Sequence, residues 1–346
     1  MTTRRPLLDT PLPIVAAPMA GGTTTLALAS AVTHAGGLAF LAGGYQTTDA
    51  LADQVAAATR WDRPFGVNLF VPGPDDADPA ALAAYATRIA PDAATHGVEL
   101  AGAPDALAAY DDDGFAAKVA LLLERPVPVV SFTFGPPPAR DVDALRAAGS
   151  VVLVTVTTPD EARAAEAVGA DGLVVQGPAA GGHSGTWDPA RSVVDADTAD
   201  VVASVAATTR LPLVAAGGVD GPASVARLRT AGAQAVAVGT LLLRTDESGA
   251  SATHRDALAS PRFTGTVVTR AFTGRPARAL RNDFAARHDA LAPAGYPQVH
   301  HLTRELRRRA GAAGDADRLH LWAGTGFRAA EAVPAADVVT SLATRW

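Results

Sequence analysis

Gly172-Leu173-Val174-Val175-Gln176-Gly177-Pro178-Ala179-Ala180-Gly181-Gly182-His183-Ser184-Gly185-Thr186 holds, in order, an apolar run, a polar stop and a glycine-rich loop around one histidine. Residues 172–175 read as a strand buried on both faces. The run ends in Gln176 and opens into a loop where glycine lets backbone approach a ligand closely. An imidazole with an ordinary pKa near 6.5 suits proton transfer at neutral pH. His183 is therefore the candidate catalytic or substrate-orienting residue. Ser184 is not a hydrolase nucleophile by motif, because G-x-S-x-G would need glycine where Thr186 stands.

Working outward, the same strand-then-helix rhythm recurs. Apolar runs at 13–17, 38–41, 65–70, 127–132, 151–155, 173–175, 213–216 and 235–238 read as strands, each followed by a helical segment. Alternation of this kind implies parallel strands, and eight of them suggest an α/β chain folded as a (β/α)8 TIM barrel. A doubly wound open sheet competes. It would usually carry G-x-G-x-x-G after the first strand, where this chain has Pro18-Met19-Ala20-Gly21-Gly22. Two stretches leave the rhythm. Residues 71–113, rich in Pro, Asp and Ala, read as a partly helical insertion. Beyond about residue 240, helices are expected at 248–260, 279–288 and 302–310, with an extended piece at 267–271. The expected organisation is a barrel domain at 1–72 and 113–245. A smaller, mostly helical lid domain comes from 73–112 and 246–312, and 313–346 packs back on the barrel.

Composition narrows the function. The 346 residues are 48% hydrophobic, enough for a sizeable core. The net charge of −6 disfavours nucleic acid as a partner. With no Cys, thiol catalysis, disulfides and zinc–thiolate sites are excluded. No apolar window reaches the roughly 18 residues of a membrane span, so a cytoplasmic monomer or homodimer is expected. The one lysine, Lys118, falls on a predicted helix, which leaves Schiff-base chemistry without an obvious residue. His300-His301 lacks metal-ligand spacing and reads as a surface pair. The run Arg304-Glu305-Leu306-Arg307-Arg308-Arg309 reads as a solvated helix face, and Asp111-Asp112-Asp113 as a solvated turn.

In a barrel of this type the active site lies at the C-terminal strand ends, with a phosphate site frequent after the last two strands. Here those loops are Ala216-Gly217-Gly218-Val219 and Ala237-Val238-Gly239-Thr240. Glycine turns with free N–H groups at a helix start make an anion site. The other strand ends fit flavin mononucleotide (FMN). Pro18, Met19 and Ala20 could lie against its ring system. Asn68 and Gln176 each offer a donor and an acceptor to its pyrimidine edge or ribityl chain.

Taken in order, these segments resemble the nitronate monooxygenases, formerly called 2-nitropropane dioxygenases. The resemblance is carried by Ala17-Pro18-Met19-Ala20-Gly21, Ala35-Gly36-Gly37 and Phe65-Gly66-Val67-Asn68-Leu69-Phe70. Gln176-Gly177 with Ala180-Gly181-Gly182-His183-Ser184-Gly185, Ala215-Ala216-Gly217-Gly218-Val219, Gly239-Thr240 and Thr245-Asp246-Glu247-Ser248 complete it. It implies noncovalent FMN in a TIM barrel and the oxidation of alkyl nitronates by O₂ to carbonyl compounds and nitrite. It implies FMN contacts from Met19, Asn68, Gln176, Gly181, Gly218 and residues 237–240, and His183 as the catalytic residue; Gly182 and Gly217 are further cofactor-binding candidates in the same loops. Two positions depart from the family pattern: Ala179 stands where the loop usually has Glu, and Ala237 where Gln is usual. Two other functions remain open at this stage. One is an FMN-dependent NAD(P)H oxidoreductase acting on enoyl-acyl carriers or quinones, and the other is a non-catalytic flavin-binding protein.

Overall fold

The computed structural model describes residues 8–100 and 110–346. Eight parallel strands close into a barrel: β1 (Ile14–Ala16), β2 (Leu38–Ala42), β3 (Gly66–Phe70), β4 (Val129–Thr133), β5 (Val151–Val156), β6 (Gly172–Gln176), β8 (Leu213–Ala216) and β9 (Ala235–Val238). The seam is the pairing of β9 with β1, where Val15 faces Ala237 and Ala16 faces Val238. β7 (Gly182–His183) leaves the barrel and joins a small antiparallel sheet with β10 (Thr266–Thr269) and β11 (Ala277–Leu280), in the order β10-β11-β7.

Barrel helices are α1 (Leu26–His34), α2 (Thr48–Ala58), α4 (Phe115–Glu124), α5 (Ala139–Ala147), α6 (Pro159–Ala167), α7 (Thr198–Ala206) and α8 (Pro222–Thr230). Their starts are encoded locally. Thr25, Thr47, Thr158 and Asp197 each accept a first-turn N–H with the side chain, and Pro159 and Pro222 take the first helical position. α7 therefore begins at Thr198, directly behind its Asp197 cap. α3 (Pro79–Ala94) lies in the insertion; residues 101–109 of that expected insertion fall outside the described residues. The remaining helices are α9 (Ala252–Ala259), α10 (Asp283–His288), α11 (Gln298–Ala312) and α12 (Ala335–Ala343). The helix expected over 279–288 is corrected at its start. Residues 277–280 pair as β11, fully buried, and only 283–288 turn helical behind the Asn282 cap.

Period-two alternation sorts every barrel strand into two apolar layers. Ile14, Val67, Phe132, Val154, Leu173 and Val236 face the helices. Val15, Leu38, Phe40, Val129, Leu153 and Val214 fill the barrel interior. A separate cluster joins Leu82, Tyr85 and Ile89 of α3 to Phe272, Phe284 and to Val299, Leu302 and Leu306 of α11. The C-terminal stretch divides its packing. Leu319, Leu321, Ala323 and Phe327 sit beside Leu258, Phe263 and Leu280, and Val339 and Leu342 join the outer barrel core.

Gly66 shows how tightly the interior is filled, since an added Cβ would lie 2.3 Å from Phe40 Cε1. Gly66→Ala is expected to destabilise the chain by about 1–3 kcal/mol in denaturant unfolding. Phe40→Leu in the same chain should recover part of that loss, whereas purely additive effects would contradict a steric cause.

Candidate active site

The interior layer changes character at the C-terminal strand ends. Asn68, Ser131, Thr133, Thr155 and Gln176 point inward there and cap the apolar layers with a polar one. The Asn68 amide donates to Ser131 O at 3.2 Å, Ser131 Oγ at 2.9 Å and Thr133 Oγ1 at 3.0 Å. Its Oδ1 has no hydrogen-bond partner among the described residues, and Asn68 lines the cavity above. The polar Asn within the apolar run of β3 is thus part of a connected layer.

That cavity has a volume of about 1270 Å³. Every candidate catalytic or cofactor-binding residue named from the sequence lines it: Pro18, Met19, Ala20, Asn68, Gln176, Gly181, Gly182, His183, Gly217, Gly218, Ala237, Val238, Gly239 and Thr240. Gln176 first serves the protein itself. Its Nε2 donates to His183 O at 3.1 Å and its Oε1 accepts from Gly185 N at 2.7 Å, which holds both sides of the histidine turn. One N–H and one lone pair remain for a ligand.

His183 sits in a short strand, where a loop was expected. A clasp formed by residues 273–278 holds it. Ala277 pairs with His183 and Arg278 with Gly182, and Pro276 O accepts from Ser184 N at 2.8 Å. Arg275, buried, donates to Thr186 O and sits 3.9 Å from the Phe134 ring centroid. His183 Nε2 lies 2.9 Å from Thr273 Oγ1. Phe134, Tyr296 and Trp322 surround the imidazole, with ring centroids 5.4–5.7 Å away. Sequence reading missed this clasp, because nothing in Thr273 or Arg275 advertises a partner about 90 residues away.

The far wall corrects three sequence readings. His300 is not a surface residue: it is buried and stacks on Tyr45 with ring centroids 4.1 Å apart. Arg307 is not on a solvated face. It is buried, lines the cavity, and donates to Thr303 Oγ1 at 3.0 Å and His300 O at 3.0 Å. No carboxylate partners it among the described residues. Asp113 is not a free turn residue. It accepts from Tyr45 N at 2.8 Å and pairs with buried Lys118 at 2.8 Å, while Asp111 and Asp112 are exposed as expected. The helix period explains the arginine error: Arg307 lies on the same buried face as Thr303 and His300, whereas Arg304, Arg308 and Arg309 are exposed, Arg304 and Arg308 at the edge of the cavity.

Burial, with the nearby Arg275 and Arg307 charges, pushes the His183 pKa down to about 3. The ring is neutral at physiological pH. Burial also depresses both arginines to about 10, so each stays charged. The cavity around His183 is therefore cationic and aromatic, and it suits a small anion.

Comparison with known proteins agrees with this geometry. The family model for nitronate monooxygenase matches residues 6–345. The chain belongs to the nitronate monooxygenase family. It is 40% identical over 345 residues to the nitronate monooxygenase of Pseudomonas aeruginosa, covering 97% of this chain and 96% of that one. Nitroalkane oxidase from Streptomyces ansochromogenes superposes with a TM-score of 0.90 at 47% identity, covering 97% and 96% of the two chains. FabK from Thermotoga maritima superposes with a TM-score of 0.74 at 26% identity, covering 97% and 93%. The family is one of flavin-dependent oxidoreductases.

The residues present fit such a group. Gly217 and Gly218 adopt φ of +109° and +72°. A Cβ on Gly217 would come within 2.8 Å of Ala180 N. The backbone N–H groups of Gly217, Gly218, Gly239 and Thr240 donate to no protein group among the described residues. Four free donors on two neighbouring strand ends form a ready cradle for a phosphate. Gly324 and Gly326, which also line the cavity, were not anticipated; Gly324 N donates to Thr240 Oγ1 at 2.9 Å and Thr325 N to Ala179 O at 3.1 Å. No helix is long and apolar enough to cross a membrane, and no metal-binding cluster occurs, among the described residues.

Burial also lowers His254 to about 4, and His300 and His320 are depressed too. Such histidines are neutral when folded and take a proton when unfolded below about pH 6.5. The unfolded state then binds more protons, so stability falls as pH drops. The denaturation midpoint should be level above about pH 7 and decline steadily toward about pH 5, ahead of the carboxylate range. A midpoint unchanged to about pH 5 would contradict these burials.

Proposed function

We propose that this protein is an FMN-dependent nitronate monooxygenase. It oxidises alkyl nitronates, and more slowly neutral nitroalkanes, with O₂ to carbonyl compounds and nitrite. The observation that carries the reading is a neutral His183 in the same cavity as the buried Arg307, which has no carboxylate partner among the described residues, with aromatic rings in the cavity wall. A nitronate is a small delocalised anion, and a desolvated guanidinium favours such a charge. Tyr296 and Trp322 pack around the imidazole with ring centroids 5.7 and 5.4 Å away.

In this proposal Gly217, Gly218, Gly239 and Thr240 hold the FMN phosphate through backbone N–H groups. Pro18, Met19, Ala20, Asn68, Gln176, Gly181, Gly182, Ala237 and Val238 line its ring and ribityl chain. Bound FMN would supply the electron acceptor for the nitronate carbon. The chain's own residues do the rest. Arg307 binds and orients the anion. For a neutral nitroalkane, the free ring nitrogen of His183 takes the proton from the carbon beside the nitro group. The charge left on the nitro oxygens develops beside Arg307, and the imidazolium and the nitronate stabilise each other. The domain division proposed from the sequence fits this scheme. The barrel at 1–72 and 113–245 holds the cofactor, 73–112 with 246–312 covers the substrate, and 313–346 packs back. A cytoplasmic location suits the small-molecule substrate and O₂.

Purified protein should be yellow, with a flavin released on denaturation. His183→Asn should lower kcat on a neutral nitroalkane by roughly 10²–10⁴-fold while a preformed nitronate is still oxidised. If O₂ uptake survives unchanged on both substrates, the base role is wrong. Arg307→Met should raise KM for the nitronate roughly ten- to a hundredfold with the protein still folded, the loss of one hydrogen bond to a charged group. An unchanged KM would remove Arg307 from anion binding.

A further inference from the structure

The hydrogen bonds around His183 can be counted through to a single tautomer. The Thr273 hydroxyl is buried and has two partners: His183 Nε2 at 2.9 Å and the Arg275 carbonyl at 3.3 Å. A carbonyl only accepts, and a hydroxyl has one proton to give. If the hydroxyl donates to Arg275 O, it must accept from His183, and both contacts are made. If it donates to His183 instead, Arg275 O loses its donor in a buried place, which costs stability. The other ring nitrogen, Nδ1, has no hydrogen-bond partner among the described residues and is not sealed from the cavity that His183 lines.

We propose that Thr273 is a positioning residue that fixes His183 as the Nε2–H tautomer, so that Nδ1 carries the lone pair facing the substrate. Thr273 acts through His183 and does not line the reaction by its own chemistry. The backbone pairing of His183 with Ala277 sets where the ring stands, and the hydroxyl sets which nitrogen is free. Arg275 contributes twice, by presenting the carbonyl that claims the Thr273 proton and by holding Thr186 O on the far side of the turn. Burial of a neutral imidazole between two guanidinium charges agrees with this assignment, since either tautomer is then the resting form and only the hydrogen bonds choose between them. The catalytic part of the inference rests on the base role proposed for His183; the tautomer itself does not.

The test uses the full-length protein with its flavin as purified and its histidines labelled with ¹⁵N. Two-bond proton–nitrogen correlation spectra report which nitrogen of each ring is protonated, and the His183→Asn spectrum assigns the signal. The wild type should show Nε2 protonated and Nδ1 bare. Thr273→Val, of the same shape, should move both nitrogens toward averaged values and lower kcat for a neutral nitroalkane roughly five- to tenfold, the effect of one net hydrogen bond, with little change in KM. Thr273→Ser should restore both the spectrum and kcat. A wild-type ring with Nδ1 protonated overturns the proposal, and so does a Thr273→Val spectrum identical to wild type. If Thr273→Val fails to fold, the wild-type and Thr273→Ser spectra still decide it. The spectra are recorded without substrate. A correct tautomer in a protein that oxidises no nitronate would sink the proposed function and leave this assignment standing.

Discussion

Closure of the parallel barrel is the constraint on which the rest depends. When β9 pairs with β1, all eight carboxyl ends reach one rim, and residues far apart in sequence become neighbours. Inward-facing positions at that rim have no apolar layer above them, so they can be polar only if they satisfy one another. Asn68, Ser131 and Thr133 do so. The apolar fill from Phe40 and Leu153 below supports this polar floor and keeps the cavity above it from collapsing into the barrel.

The glycine loop creates a second demand. Glycine allows the turns and close approaches at the rim, but an unrestrained glycine loop is costly to order. Three sets of contacts hold it, one from barrel strand β6 and two from outside the barrel. Gln176 grips both sides of the histidine turn, β11 adds ladder bonds, and Arg275 and Arg278 reach loop carbonyls at Thr186 and Pro178. The small sheet therefore serves the site more than the core. Arg278 is buried and pairs with Asp195, which ties the same loop to the segment before α7. Ala179, which departs from the family pattern, makes its backbone contact with Thr325 by its carbonyl, so the loop is held here without an acidic side chain at that position.

Electrostatics give the cavity its preference. Arg275 and Arg307 are both buried without a carboxylate partner among the described residues, and the histidines between them stay neutral. An uncompensated buried charge is expensive. Here each guanidinium is offset by carbonyls, hydroxyls and ring faces, a weaker environment than an ion pair. A small anion entering the cavity would meet positive charge that is not already neutralised.

The alternation of apolar runs with helices, the Thr and Asp caps and the eight strands were all legible in the chain, because they depend on period and on contacts within a few residues. The glycine and amide positions at the strand ends were legible for the same reason: in a parallel barrel a strand's last residue must lie at the rim. The start of β11 was misread, since Ala277-Arg278-Ala279-Leu280 favours a helix locally and becomes a strand only by pairing with β7 and β10. Thr273, Arg275, Arg307 and Lys118 carried no sequence signal. Their identities suit a surface as well as an interior, and the neighbours that decide between the two arrive only when distant segments pack. The sequence by itself thus determined the barrel and the ring of residues at its mouth. Tertiary structure alone decided which charges would be buried there and how the imidazole is held, because burial and hydrogen-bond partners belong to the assembled neighbourhood and not to the order of residues along the chain.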